Sequence, residues 1–135
     1  MEAPATCEIC GQSRRRQATF CKRCKKILDR IDTRRKADKR ARAQALKASW
    51  DGQAFRCHYS GVTLVENDHR NPRYITFDQR TPRQEDNVVI AAACLNDMKS
   101  DLSEDEFKAV VVQLARRFDG GPFDESVLNL SHWKR

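Results

Sequence analysis

The spacing of hydrophobic and polar positions changes along the chain, and each change predicts a different element. Residues 22–49 are highly charged, lack glycine and proline, and carry apolar residues at helical spacing, which predicts one long helix. Residues 55–65 predict a strand, a turn and a strand, and residues 74–77 favour another strand because they are β-branched or aromatic. Residues 88–90 predict a strand that passes into a helix ending at Lys99. This mixture predicts an α+β fold.

The C-terminal part of the chain predicts a further amphipathic helix. Ser103 and Glu106 form an S-x-x-E capping box ahead of an apolar run, and the two glycines from Gly120 end the helix. Its predicted buried face consists of Phe107, Val110, Val111, Leu114 and Phe118. The apolar residues of the tail are expected to pack back on the core: Phe123, Val127, Leu128, Leu130 and Trp133.

Four of the six cysteines form two Cys-x2-Cys pairs. The first residues show no secretory signal, so we expect reduced thiols and a metal site rather than disulfides. Four thiolates can surround zinc tetrahedrally, and because no position is left for water the zinc would be structural. A redox dithiol normally uses one such pair rather than two. The predicted zinc ligands are Cys7, Cys10, Cys21 and Cys24, while Cys57 and Cys94 are interpreted as small core residues.

The 135-residue chain has a formal net charge of +7, which is unevenly distributed. Residues 1–49 hold 15 Lys and Arg against 5 Asp and Glu, whereas residues 50–135 hold 11 against 14. A basic segment beside a metal motif is typical of nucleic-acid binding, and a solvated basic helix is the alternative. No apolar run approaches the ~18–20 residues that span a membrane. We therefore expect a cytoplasmic protein that uses neither a membrane nor a small-molecule cofactor.

These features predict three segments: a zinc finger in residues 1–26, a basic connecting helix in residues 22–49, and a third unit in residues 50–135. Lys and Arg contacts to phosphates give affinity without reading base sequence, so the first two segments are expected to contact double-stranded DNA. The residues expected to make these contacts are Arg14, Arg15, Arg16, Lys22, Arg23, Lys25, Lys26, Arg30, Arg34, Arg35, Lys36, Lys39 and Arg40.

The third unit contains a set of short motifs in a particular order. They read Cys57-His58-Tyr59-Ser60-Gly61, Asp78-Gln79 at a strand end, Asn87 before the next strand, and Asn96-Asp97-Met98-Lys99 on the following helix. Over about 45 of the 135 residues this order resembles the HNH, or His-Me finger, endonucleases. The resemblance implies a ββα-metal fold for residues 50–135, with an extra C-terminal helix, and a DNA endonuclease activity.

The resemblance also implies a role for each matching residue. Asp78 and Asn96 would hold Mg²⁺ or Mn²⁺, which prefer oxygen ligands and stabilise the leaving oxygen of a phosphodiester. Asn87 would fix the loop that carries the general base, and Lys99 would contact a phosphate. From the residues alone, Asn87 can equally be a turn residue and Asn96 a solvated helix position.

One departure from the family pattern concerns the general base. The family places a histidine directly after the aspartate, and here that position is Gln79, whose amide cannot accept a proton at neutral pH. Three explanations are open: a substitution made to trap a complex, a natural loss of activity, or a base supplied from elsewhere. His69 is the nearest alternative base, although its position in a predicted loop favours an exposed histidine.

A second departure concerns metal binding within the third unit. Many family members have another four-cysteine zinc site there, but this chain has Ser60, Ala92 and Leu95 at three of the ligand positions, so no zinc is expected. The preferred hypothesis is a metal-dependent HNH-type endonuclease that is impaired by Gln79. The alternative is a non-catalytic nucleic-acid-binding protein on a degenerate HNH scaffold. A protein-interaction finger is a third option, which the basic charge disfavours.

Overall fold

The structure is a computed structural model that describes residues 5–29, 39–84, 87–131 and 133. Its elements, in chain order, are helix α1 (Lys22–Asp29), helix α2 (Lys39–Ser49), strand β1 (Ile75–Gln79), strand β2 (Val88–Ala92), helix α3 (Ala93–Lys99), helix α4 (Glu104–Phe118) and a short 3-10 helix (Glu125–Leu128). The mixed α and β content agrees with the predicted class. No helix in these described ranges is long and apolar enough to cross a membrane.

Strands β1 and β2 form an antiparallel hairpin whose register pairs Ile75 with Ala92 and Gln79 with Val88. The last three residues of β2 are buried, because α2 packs on this strand and α3 packs on both strands. Helix α3 begins directly after β2, and its first N–H groups donate to the segment that precedes β1: Ala93 N donates to Tyr74 O at 2.9 Å. The predicted strand–strand–helix order is thus present.

Helices α1 and α2 lie at the two ends of the range predicted to be one long helix. The guanidinium carbon of Arg23 lies 5.1 Å from the ring centre of Trp50. A straight helix joining these residues would separate them by about 40 Å, at 1.5 Å per residue. Helices α1 and α2 therefore do not lie along the single straight helix that was predicted, and residues 30–38, in the middle of that range, lie outside the described residues.

Helix α2 belongs to the hydrophobic core and does not serve as an exposed connector. Leu46 is fully buried, and it shares one core cluster with Ile27 of α1, Phe55, Ile75 and Ile90. Arg42, which belongs to the highly charged stretch, is also buried. The same cluster contains the cysteines of the finger, so the predicted segment limits do not coincide with breaks in the core.

Helix α4 has the predicted start but not the predicted buried face. Ser103 and Glu106 form a complete capping box. In contrast, Val111, Leu114 and Phe118 are exposed, and Phe118 keeps 85% of its surface accessible. The tail packs on another side of the helix, where the buried Gln113 accepts a hydrogen bond from Asp124 N at 2.9 Å.

The tail therefore packs back only in part. Phe123, Val127 and Leu130 are half-buried, whereas Leu128 and Trp133 are exposed.

Because Leu46 is fully buried between α1 and the hairpin, Leu46→Ala should lower the free energy of unfolding by about 2–5 kcal/mol. The neighbouring Lys47 is exposed, so Lys47→Ala should change it by less than about 0.5 kcal/mol. Urea unfolding of both zinc-loaded variants measures the difference. Equal, small effects would show that α2 does not pack on the hairpin.

Candidate functional site

The four cysteines of the finger converge as the sequence predicts. Their Sγ atoms all lie within 4.8 Å of one another. Cys10 Sγ and Cys21 Sγ are 3.6 Å apart, close to the ~3.8 Å edge of a tetrahedron with Zn–S bonds of about 2.3 Å. The donor set and its geometry fit a zinc ion, and the absence of a further ligand position fits a structural role.

Local backbone structure brings the two Cys-x2-Cys pairs together. The first pair lies in a tight knuckle, in which Gly11 N donates to Cys7 O at 2.9 Å and Gly11 adopts a φ of 75°. Such a φ is strained for residues with a side chain, which explains the glycine directly after Cys10. The second pair lies at the start of α1, where Cys21 Sγ accepts from Cys24 N at 3.5 Å in the manner of an N-cap.

The pKa values of three cluster thiols are shifted in different directions. Burial opposes ionisation of Cys7, but hydrogen bonds from backbone groups of Cys21, Cys10 and Ile9 outweigh it and lower the Cys7 pKa to about 7. Burial raises the pKa of the Cys21 and Cys24 thiols. A zinc ion would therefore displace protons from thiols that otherwise keep them, and its binding should weaken as the pH falls.

The segment around Cys57 repeats the backbone of the first knuckle. Gly61 N donates to Cys57 O at 2.9 Å, and Gly61 also has a φ of 75°. A single bridge between Arg56 and Thr63 closes this knuckle, so the predicted strand–turn–strand is wrong. The sequence signal for this repeat is Cys-x2-Ser-Gly, which matches Cys-x2-Cys-Gly at residues 7–11 except at one ligand.

No thiolate partners surround Cys57 in the described residues. Its Sγ accepts a hydrogen bond from Ala92 N at 3.3 Å. Ala92 occupies a position where the resemblance implies a further cysteine. Burial opposes ionisation of Cys57, but the hydrogen bonds from Ser60 and Ala92 lower its pKa. Cys57 is thus a buried core residue, as predicted, whereas Cys94 is exposed.

Asp78 is buried near the end of β1, with its charge already compensated. Its Oδ2 accepts a hydrogen bond from the hydroxyl of Tyr59 and lies 3.2 Å from the Lys99 ammonium. Lys99 is only 1% exposed and also donates to Gln79 O at 2.9 Å. Burial and the Asp78 carboxylate raise the Tyr59 pKa, so this hydroxyl stays a donor. The Lys99 ammonium is enclosed, which argues against a contact with a DNA phosphate, and that contact stays a prediction.

The other predicted catalytic side chains make contacts within the fold. Gln79 Oε1 accepts from Arg83 N at 3.0 Å and so closes the loop after β1. Asn96 Nδ2 donates to Phe77 O at 3.2 Å and to Thr76 Oγ1 at 3.1 Å, which ties α3 to β1. Asn87 extends the hairpin through its carbonyl, which accepts from Arg80 N at 2.9 Å. His69 is exposed in a loop, as predicted.

These contacts do not fit a divalent metal at Asp78 and Asn96. A lysine ammonium lies 3.2 Å from Asp78 Oδ2, and it would repel a divalent cation brought to the same carboxylate. The only metal-ligand cluster of His, Cys, Asp and Glu side chains in the described part of the chain is the cysteine centre.

Three residues that the sequence analysis left without a role extend this polar region. Glu104, at the start of α4, is buried, and its Oε1 lies 2.6 Å from His58 Nε2. Its Oε2 accepts from Arg80 Nε at 2.5 Å. Burial alone would raise the Glu104 pKa, but these hydrogen bonds lower it below its ordinary value of 4.5. We refer to His58, Tyr59, Asp78, Arg80, Lys99 and Glu104 as the polar cluster.

The basic residues of the finger fall into two groups. Arg14 donates to Thr6 O at 2.8 Å and to Ala18 O at 2.5 Å, which fixes the finger loop. Arg23 lies over the rings of Trp50 and Phe55, and its Nε is 3.6 Å from Glu66 Oε1. Exposed side chains make up the second group: Arg15, Arg16, Lys22, Lys25, Lys26, Lys39 and Arg40. Arg30, Arg34, Arg35 and Lys36 lie outside the described residues.

Comparison of the chain with protein-family models, with curated proteins and with solved structures gave no match. The resemblance to HNH endonucleases therefore remains a hypothesis, and the geometry of the chain itself has to carry the functional argument.

We expect one zinc ion per chain, and Cys21→Ser should remove it because three thiolates no longer close the tetrahedron. Cys57→Ser is the matched control: Cys57 lies in a knuckle of the same backbone form but outside the cluster, so zinc content should stay at one. Elemental analysis of the purified variants measures this. Zinc retained by Cys21→Ser, or lost from Cys57→Ser, would contradict the assignment.

Because the folded-state pKa of Glu104 is lowered, its ionised form stabilises the fold above the ordinary carboxyl pKa. This contribution is lost as the pH falls through the folded-state pKa. The stability difference between the wild-type chain and Glu104→Gln should therefore be largest near neutral pH and shrink below about pH 4.5. Urea unfolding at a series of pH values measures it, and a difference independent of pH would refute the role of the charge.

Proposed function

We propose that this protein binds double-stranded DNA through its zinc-stabilised basic finger and that its hairpin–helix unit is a scaffold without metal-dependent catalysis. The observation that carries the second part of the proposal, the missing catalysis, is the buried Lys99–Asp78 ion pair, to which the Tyr59 hydroxyl also donates a hydrogen bond. The ammonium beside this carboxylate opposes the binding of a divalent cation there. Since Gln79 also offers no base, neither of these two positions supports phosphodiester hydrolysis.

The basic side chains of the finger support the binding part of the proposal. Arg15, Lys22 and Lys25 are exposed beside a metal centre that would keep their backbone rigid. Lysine and arginine on a rigid surface neutralise phosphates and release counterions, which gives affinity that depends on salt. Arg14 and Arg23, which make contacts within the fold, would act indirectly by holding this surface in place.

An HNH-type endonuclease is the second candidate, and one observation favours it. The hairpin followed directly by α3 places Asp78 and Asn96 on elements that pack against each other, in the order that the resemblance implies. On this alternative, DNA or a divalent ion would have to draw Lys99 away from Asp78.

A plasmid-nicking assay with Mg²⁺ or Mn²⁺ separates the two candidates. The wild-type chain and Gln79→His should both nick DNA no faster than Asp78→Ala, because a base at position 79 cannot act without a bound metal. DNA affinity measured on the same samples shows that each variant still binds.

The opposite result would support the endonuclease. A positioned base contributes ~10²–10⁴-fold in rate. If Gln79→His gained activity of that size, and if Asp78→Ala in the same background removed the gain, the scaffold proposal would be wrong.

A further inference from the structure

An open groove of about 730 Å³ lies between the finger loop and α1. Five of its lining residues are basic, and no Asp or Glu of the described chain lines it. A groove with cations on its walls and no carboxylate selects for an anion by simple electrostatics. The groove is therefore suited to phosphate groups.

Two of the five basic residues build the groove, and three are available to a ligand. The guanidinium of Arg14 bonds to carbonyls on both sides of the loop, at Thr6 and Ala18. Arg23 is held by Trp50, Phe55 and Glu66. In contrast, no hydrogen bond or ion pair within the described residues engages the side chains of Arg15, Lys22 and Lys25.

The three available cations are arranged around a partly apolar floor. Lys22 and Lys25 are three residues apart on α1, so they lie on one face of the helix. Arg15 faces them from the loop, and the half-buried ring of Phe20 also lines the groove. Cations and an aromatic ring in one groove match a sugar–phosphate strand, whose phosphates need charge and whose sugars or bases need apolar contact.

We infer that this groove holds one phosphodiester strand of the nucleic acid, with Arg15, Lys22 and Lys25 on its phosphates and Phe20 beneath it. The inference rests on the proposed function and locates its binding site. It also replaces the sequence-based expectation that a long helix follows the phosphate backbone, since α2 is packed on the hairpin.

The test compares two double variants of the full, zinc-loaded chain that lose the same number of charges. Lys22→Gln/Lys25→Gln removes two groove cations, and Lys47→Gln/Arg117→Gln removes two exposed cations outside the groove. Binding to a fluorescent duplex, and to a single strand of the same length, is measured over a range of salt concentrations. Zinc content and unfolding curves confirm that both variants are folded.

The groove variant should lose about tenfold or more in affinity, as expected for the loss of two charge-assisted contacts. The slope of log affinity against log salt concentration should become shallower by about two in the groove variant. The control variant should keep most of its affinity. Equal losses in both variants would overturn the groove while leaving DNA binding intact. If the wild-type chain bound neither probe, the proposed function itself would be wrong.

Discussion

A carboxylate inside a protein core needs a compensating charge, and in this chain the carboxylate of Asp78 finds it in Lys99. The pair joins the end of β1 to the end of α3, with the Lys99 ammonium also bonded to the backbone at Gln79. Removing one member of such a pair leaves an uncompensated buried charge, which typically costs about 3–5 kcal/mol. The hairpin–helix unit therefore depends on this contact, and the proposed absence of metal-dependent catalysis rests on the same contact.

The finger half of the molecule is organised by a different constraint, the convergence of four thiols. The Cys7 knuckle and the start of α1 meet there, and Arg23 extends from α1 to the rings of Trp50 and Phe55. The finger, predicted in residues 1–26, is too short to bury enough apolar area to fold alone. A metal is therefore the expected source of its rigidity. Because the same core cluster continues into the hairpin, the metal centre and the polar cluster belong to one packed body.

The sequence predicted the features that depend on neighbours along the chain. The cysteine spacing, the two strands, α3 and the capping box at Ser103 are local patterns, and the structure contains all of them. The sequence analysis failed for features that depend on contacts between residues far apart in the chain. The charged stretch after Lys22 could not reveal that Arg23 reaches Trp50, and periodicity could not reveal that the tail would leave Phe118 exposed.

The candidate site shows the same limit. Motif order identified Asp78 and Asn96, but it could not show that Lys99, assigned to a phosphate, lies 3.2 Å from the Asp78 carboxylate. Glu104 was also missed, because in sequence it is simply an acidic residue in the first turn of a helix. Its bond to His58 spans 46 positions, a separation that no local pattern encodes.

Titration of the zinc-loaded chain with Mn²⁺ most directly tests the claim that a lysine, not a metal ion, neutralises Asp78. Electron paramagnetic resonance distinguishes bound from free Mn²⁺, and the wild-type chain should show no more bound ion than Asp78→Asn. One Mn²⁺ bound per wild-type chain and lost in Asp78→Asn would contradict the account, because it would place a divalent cation where the structure has the Lys99 ammonium.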